Sequence, residues 1–295
     1  MRFVNHGGRL TLLTADGRGL DVERASGGTL PAAPELALER WPEVLSWAAG
    51  AGDVGEVEIE EALIGPPSPA ARQIFGVGFN YAGHVEETGA PMPEHPTIFA
   101  KLYSSLAGPY EQVPISTDTV DWEVELAVVI GRRARRVPAA RAWEHVAGLT
   151  LAQDISDRGI QLRPKDSPQF VLGKSLPGFC PTGPALVTLD EFENPDDLEL
   201  SCSVNGEEVQ RGRTSEFIYS ASELIAYLSE ATDLLPGDLI LTGTPSGIGA
   251  TRTPPWFLAP GDVLESEIPG IGSMRQEFVE DRIETSVASA AGSGS

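Results

Sequence analysis

Three carboxylates and a histidine are the residues here whose types and spacing could do chemistry. Residues 120–131 read VDWEVELAVVIG, an apolar/polar alternation of the kind a strand shows. Trp122, Val124, Leu126, Val128 and Ile130 would share one face. Asp121, Glu123 and Glu125 would share the other, which Ala127 and Val129 continue. At i and i+2, Glu123 and Glu125 would stand roughly 6–7 Å apart. Two partly buried carboxylates that close repel, and one would be driven to hold a proton. A hard divalent cation such as Mg²⁺ removes the conflict, because it takes oxygen ligands from carboxylates, waters and substrate. Alone, E-x-E reads rather as a solvated strand edge with no role. Asp154 ends the apolar run GLTLAQD and supplies a third oxygen donor, which favours the cation.

Other groups join this set. His84 and Glu87 stand at i, i+3 in a short helical stretch and can touch. A carboxylate on one imidazole nitrogen raises the basicity of the other, the equipment of a general base, although such a pair also occurs as a surface ion pair. Arg158 and Gln161 follow Asp154 at i, i+3 spacing, and a guanidinium is a natural partner for a substrate carboxylate. Lys174 is one of three lysines and sits among apolar residues in FVLGKSLPGF, where a bland surface charge is the alternative. Thr244, in TGTPSGIG, offers a hydroxyl within a Gly-rich turn that could equally be only a turn.

Familiar signatures are approached and missed. GVGFNY has Tyr81 where a dinucleotide loop needs glycine, and GKS at 173–175 has Pro168 where a phosphate loop needs one. PSG at 245–247 fails the nucleophile-elbow frame at Thr244. Histidines at 6, 84, 95 and 145 make a poor zinc set.

These groups must be positioned by a chain of 295 residues, long enough for a large domain plus a small one. The formal net charge of -22 disfavours nucleic acid and anionic membranes as partners. Cys180 and Cys202 do not make a disulfide scaffold, and no apolar run suits a signal peptide or a membrane helix. The expectation is a soluble cytoplasmic protein. Short strands dominate residues 1–68, with one helix over 39–49, and the Pro-rich segment 65–73 marks a boundary. Residues 69–283 then hold the candidate site. Asn80 is the expected N-cap of the helix carrying His84, and Gly89 its stop. A second short helix is expected around 138–147. Asn205-Gly206 is a hairpin turn, and SASELIAYLSEAT a helix capped by Ser220 or Ser222. Residues 284–295 read as a disordered tail. The fold class expected is mainly β with short helices (α+β).

The ordered blocks GVGFNYAGHVEE, DWEVELAVVIG, QDISDRGIQ, GKSLPGF, VNGEEVQ, LLPGDLILTGTPSGIG and PGDVLESEIPGIG resemble the fumarylacetoacetate hydrolase family, over about residues 74–275. The resemblance implies a mixed β-sandwich or roll, a small N-terminal domain and a homodimer. It implies Mg²⁺ (or Mn²⁺, Ca²⁺) on Glu123, Glu125 and Asp154, and catalysis by His84, Glu87 and Lys174. Substrate contacts fall on Arg158, Gln161 and Thr244. The family's S-A-R-D wording is Ser156-Asp157-Arg158-Gly159 here, a departure beside the substrate loop. The activity expected is hydrolytic cleavage of a carbon–carbon bond in a 2,4-diketo acid, an acylpyruvate-like small molecule, through a metal-stabilised pyruvate enolate. The alternative keeps the site and changes the reaction, to tautomerisation, isomerisation of a 2-hydroxymuconate-type dienoate, or oxaloacetate decarboxylation.

Overall fold

The computed structural model describes residues 1–52 and 54–281, so the expected tail over 284–295 lies outside the described residues. The stretch that raised the question of stacked acids is a central strand. Val124–Ile130 pairs antiparallel with Val146–Gln153 on one side and with Leu239–Leu241 on the other. It belongs to an 11-stranded mixed sheet, and every residue of the strand is buried. Alternation decides which core each side chain enters. Val124, Leu126, Val128 and Ile130 enter a core shared with Leu200, Leu264, Met274 and Phe278 of the second sheet. Ala127 and Val129 enter another, with Leu38, Trp41 and Val44. Beyond Glu125 the strand is apolar on both faces because it is covered on both, and the period of two survives as a choice between cores.

The second sheet has five strands in the order Glu207–Arg213, Glu199–Val204, Val263–Ile268, Gly272–Glu280 and Val113–Ile115. The hairpin turns at Asn205-Gly206 as expected, both at positive φ. The architecture is the expected one: mainly β, mixed sheets, short helices. Helix Ala221–Ala231 is capped by Ser220 in a capping box with Glu223. Strands from residues 1–68 lie in the large sheet too: Arg2–His6 pairs with Cys180–Val187, and Trp41 Nε1 donates to Ala147 O at 3.0 Å.

The helix expected over 39–49 is Trp41–Ala48, and a separate helix, Pro34–Glu39, precedes it across Arg40. Pro42 has no N–H, and its ring would meet the Leu38 carbonyl if the two ran on as one. Two local expectations are corrected. The segment expected as a helix around 138–147 is a 3₁₀ helix, Ala139–His145, entered after Pro138. Asn80 does not cap the helix Ala82–Thr88, whose N-cap is Tyr81. Its buried amide instead donates to Tyr219 O (3.0 Å) and Thr242 O (2.7 Å) and accepts from Tyr219 N–H. Tying the turn to two distant segments satisfies more buried backbone than a cap would. The helix stops at Gly89, in the left-handed region as expected.

Candidate active site

The two central strands bring the acids together through their register. Val124 pairs with Gln153, so Glu123 and Asp154 flank the same end, with Asp154 N–H donating to Glu123 O at 2.9 Å. One carboxylate oxygen from each of Glu123, Glu125 and Asp154 lies within 4.8 Å of the others, all buried. The solvated-edge reading therefore does not hold. Lys174 Nζ donates to Glu123 Oε2 at 2.8 Å and to Asp154 Oδ2 at 2.5 Å. Lys101 Nζ donates to Asp154 Oδ1 at 2.5 Å and to Ile155 O at 3.3 Å. Arg158 Nε donates to Asp121 Oδ2 at 2.9 Å, and its Nη1 to Gln161 Oε1 at 3.0 Å. Its Nη2 lies 2.7 Å from Glu123 Oε1 but with its N–H groups turned off that line, a charge contact rather than a hydrogen bond.

Four buried carboxylates thus face three cations: Asp121, Glu123, Glu125 and Asp154 against Lys101, Arg158 and Lys174. Burial works against the charge on Glu123, yet Lys174 and Arg158 outweigh it and hold that carboxyl well below the usual range. Glu125 goes the other way. Burial, then the charges of Asp154 and Glu123, push its carboxyl well above the ordinary value, and Lys174 and the Gly243 N–H (2.6 Å) do not make this up. Gly243 stands at φ 98°, where an added Cβ would lie 2.7 Å from Asn80 Cβ, so glycine is required for that approach. An all-oxygen, buried donor set with one carboxyl lacking its own counter-charge fits a hard divalent cation.

His84 Nδ1 lies 2.7 Å from Glu87 Oε1. Glu87 Oε2 accepts from Gly247 N–H (2.9 Å) and Thr251 Oγ1 (3.0 Å). With its acceptor capacity so used, Glu87 orients Nδ1 as the protonated nitrogen and leaves Nε2 for a substrate. The same Gly-rich loop reaches Asp121, whose Oδ1 accepts from Gly249 N–H (2.7 Å) and Oδ2 from Ala250 N–H (3.1 Å). One loop therefore braces both the imidazole and the guanidinium.

A cavity of about 340 Å³ is lined by His84, Glu87, Glu123, Arg158, Gln161, Lys174 and Thr244, among others. Of the sequence-predicted residues only Glu125 and Asp154 do not line it, and each has a carboxylate oxygen within 4.8 Å of one on Glu123, which does. The Thr244 hydroxyl is already engaged, donating to Val124 O (2.9 Å) and accepting from Gln210 Nε2 (2.8 Å), so it can offer a substrate only its remaining acceptor capacity.

The family model for the fumarylacetoacetate (FAA) hydrolase C-terminal region matches residues 73–279. The chain belongs to the fumarylacetoacetate hydrolase family. It is 42% identical over 277 residues to human oxaloacetate tautomerase FAHD2A, mitochondrial, covering 92% of this chain and 88% of that one. It is 48% identical to an HpcE-like protein from Mycobacterium smegmatis of solved structure, with a TM-score of 0.89 over 96% of this chain and 100% of that one. Maleylpyruvate hydrolase from Sphingobium sp. SYK-6, solved with manganese(II) and pyruvate, is 25% identical with a TM-score of 0.76, over 96% of this chain and 100% of that one. Fumarylacetoacetate hydrolase relatives are thus enzymes of more than one reaction type. No described helix is long and apolar enough to cross a membrane.

Two residues of the site escaped the sequence reading. Asp121, read in the sequence only as sharing the face of the two glutamates, holds Arg158 and the Gly-rich loop. Lys101 shares the signal that drew notice to Lys174, a scarce lysine at the end of an apolar stretch, TIFAK.

The raised Glu125 carboxyl has a measurable consequence. The raised value favours the protonated form when no cation is bound, and an incoming divalent ion must displace that proton. Metal affinity should therefore rise with pH and fall as pH drops below the raised Glu125 value. Calorimetric titration with Mn²⁺ in buffers of different ionisation enthalpy should show proton release on binding; binding without any release would contradict the assignment.

Proposed function

We propose that this protein enolises a short 2-oxo acid, interconverting keto and enol forms of an oxaloacetate-like substrate. One observation carries the reading: an imidazole oriented by Glu87 and an acid cluster suited to a divalent cation border one cavity. The 42% identity with an oxaloacetate tautomerase supports it. A divalent cation on Glu123, Glu125 and Asp154 would supply Lewis acidity at the substrate's oxo-acid end. Arg158 and Gln161 would hold the substrate carboxylate. His84 Nε2 would take a proton from the carbon next to the carbonyl, and the C–H electron pair would become the new carbon–carbon double bond. Lys174, an ammonium held between Glu123 and Asp154, would steady the charge that moves onto the carbonyl oxygen, which then takes up a proton.

A second reading, hydrolysis of an acylpyruvate, is favoured by the apolar part of the wall. Phe79, Phe99, Leu162 and Phe170 leave room for a tail longer than oxaloacetate's. In that reaction His84 would draw its proton from water.

The two separate in one assay, with Mg²⁺ or Mn²⁺ present. Decay of the enol absorbance of oxaloacetate is followed beside pyruvate release from a panel of acylpyruvates. Faster enol decay is expected, with His84→Gln lowering kcat about 10²–10³-fold. Pyruvate release without enol decay would transfer the assignment to hydrolysis, and neither activity would sink both.

A further inference from the structure

Among the described residues, three other than glycine have positive φ: Phe79, Arg136 and Asn205. Asn205 forms a hairpin turn, where asparagine is at home. Phe79, at φ 58°, is an aromatic residue in a conformation that L side chains with a bulky Cβ substituent adopt at a cost. The surroundings hold it there. Gly78 ends a strand fixed in the large sheet, and the next residue, Asn80, is buried and hydrogen-bonded to Tyr219 and Thr242. Strain retained beside a site asks what the side chain does.

The Phe79 ring lies against the His84 imidazole, centroids 5.9 Å apart and planes at 21°, and both residues line the cavity. The hydrogen bond from Nδ1 to Glu87 fixes one point of the imidazole, but rotation about that bond remains open. A flat ring stacked on its face closes that freedom. We propose that Phe79 is a positioning residue: its strained backbone presents a ring that sets the plane of His84, and with it the direction of Nε2. Its bearing on catalysis rests on His84 acting as the base; its effect on the imidazole does not.

Phe79→Gly and Phe79→Asn both suit positive φ and remove the ring, so each should fold, as checked by circular dichroism and Tm. Relaxation of the His84 Cε1–H group in the protein without substrate, assigned with His84→Gln, should show a rigid imidazole in the parent and a mobile one in both variants, with Nδ1 still the protonated nitrogen. With substrate, kcat should fall about tenfold while KM changes less than threefold, and Phe79→Tyr, which keeps a ring, should restore kcat. An imidazole equally rigid in both ring-less variants would overturn the proposal. So would a rise in KM with kcat unchanged, since the ring would then be only a wall for substrate. If the imidazole is freed and no substrate is turned over, positioning stands and the proposed reaction falls.

Discussion

Replacing Lys101 with methionine should destabilise the fold by about 3–5 kcal/mol, because it leaves a buried carboxylate cluster short of a cation. For a chain of this length that is a fall in Tm of about 5–8 °C. Lys101 is fully buried, and its ammonium is held between Asp154 Oδ1 and the Ile155 carbonyl. Methionine keeps the stem and removes the charge, so packing alone does not account for the loss. Asp154 would retain Lys174, but four carboxylates would then face only Arg158 and Lys174. A divalent cation supplies positive charge at the same place, so the loss should be larger in EDTA than with Mg²⁺. Thermal unfolding of parent and variant under both conditions checks this. A variant as stable as its parent in EDTA would be evidence against the charge balance described.

Lys101 also marks where sequence stops being informative. Period-two alternation in VDWEVELAVVIG identified both faces of the central strand, because burying both faces does not erase the alternation between two cores. The ligand triad was legible for a related reason: Glu123 and Glu125 share a face locally, and Asp154 ends a run that reads as a strand. Which strand Asp154 would face required the pairing itself. The ammonium of Lys101 meets a carboxylate 53 residues away, and Asp121 meets backbone donors 128 and 129 residues away. No local spacing encodes such contacts. Asn80 shows the opposite failure. Its position before a helix is a sound local signal for a cap, overridden because two distant backbone segments needed its amide.

Glu125→Gln should abolish activity, by about 10³-fold, while leaving the metal-free fold nearly unchanged. Several kcal/mol of charge stabilisation by a bound cation corresponds to about that factor in rate. The two halves of the prediction come from one observation. Glu125 is the member of the triad with no cation bonded to it, and burial with its acidic neighbours raises its carboxyl and so favours the protonated form when no metal is bound. Glutamine copies that protonated carboxyl in shape and charge, and its amide oxygen can still accept the Gly243 N–H. In EDTA the variant should therefore unfold within about 1 °C of the parent, a shift that corresponds to less than about one kcal/mol. Adding Mg²⁺ or Mn²⁺ should raise Tm in the parent and scarcely move it in the variant, because the ligand charge is gone. The same substitution should remove the proton release that accompanies metal binding. Glu123 could not make this separation, since its charge is held by Lys174 and Arg158 and its loss disturbs the fold with or without metal. A Glu125→Gln protein that kept its turnover and its metal-dependent Tm rise would remove Glu125 from the cation site.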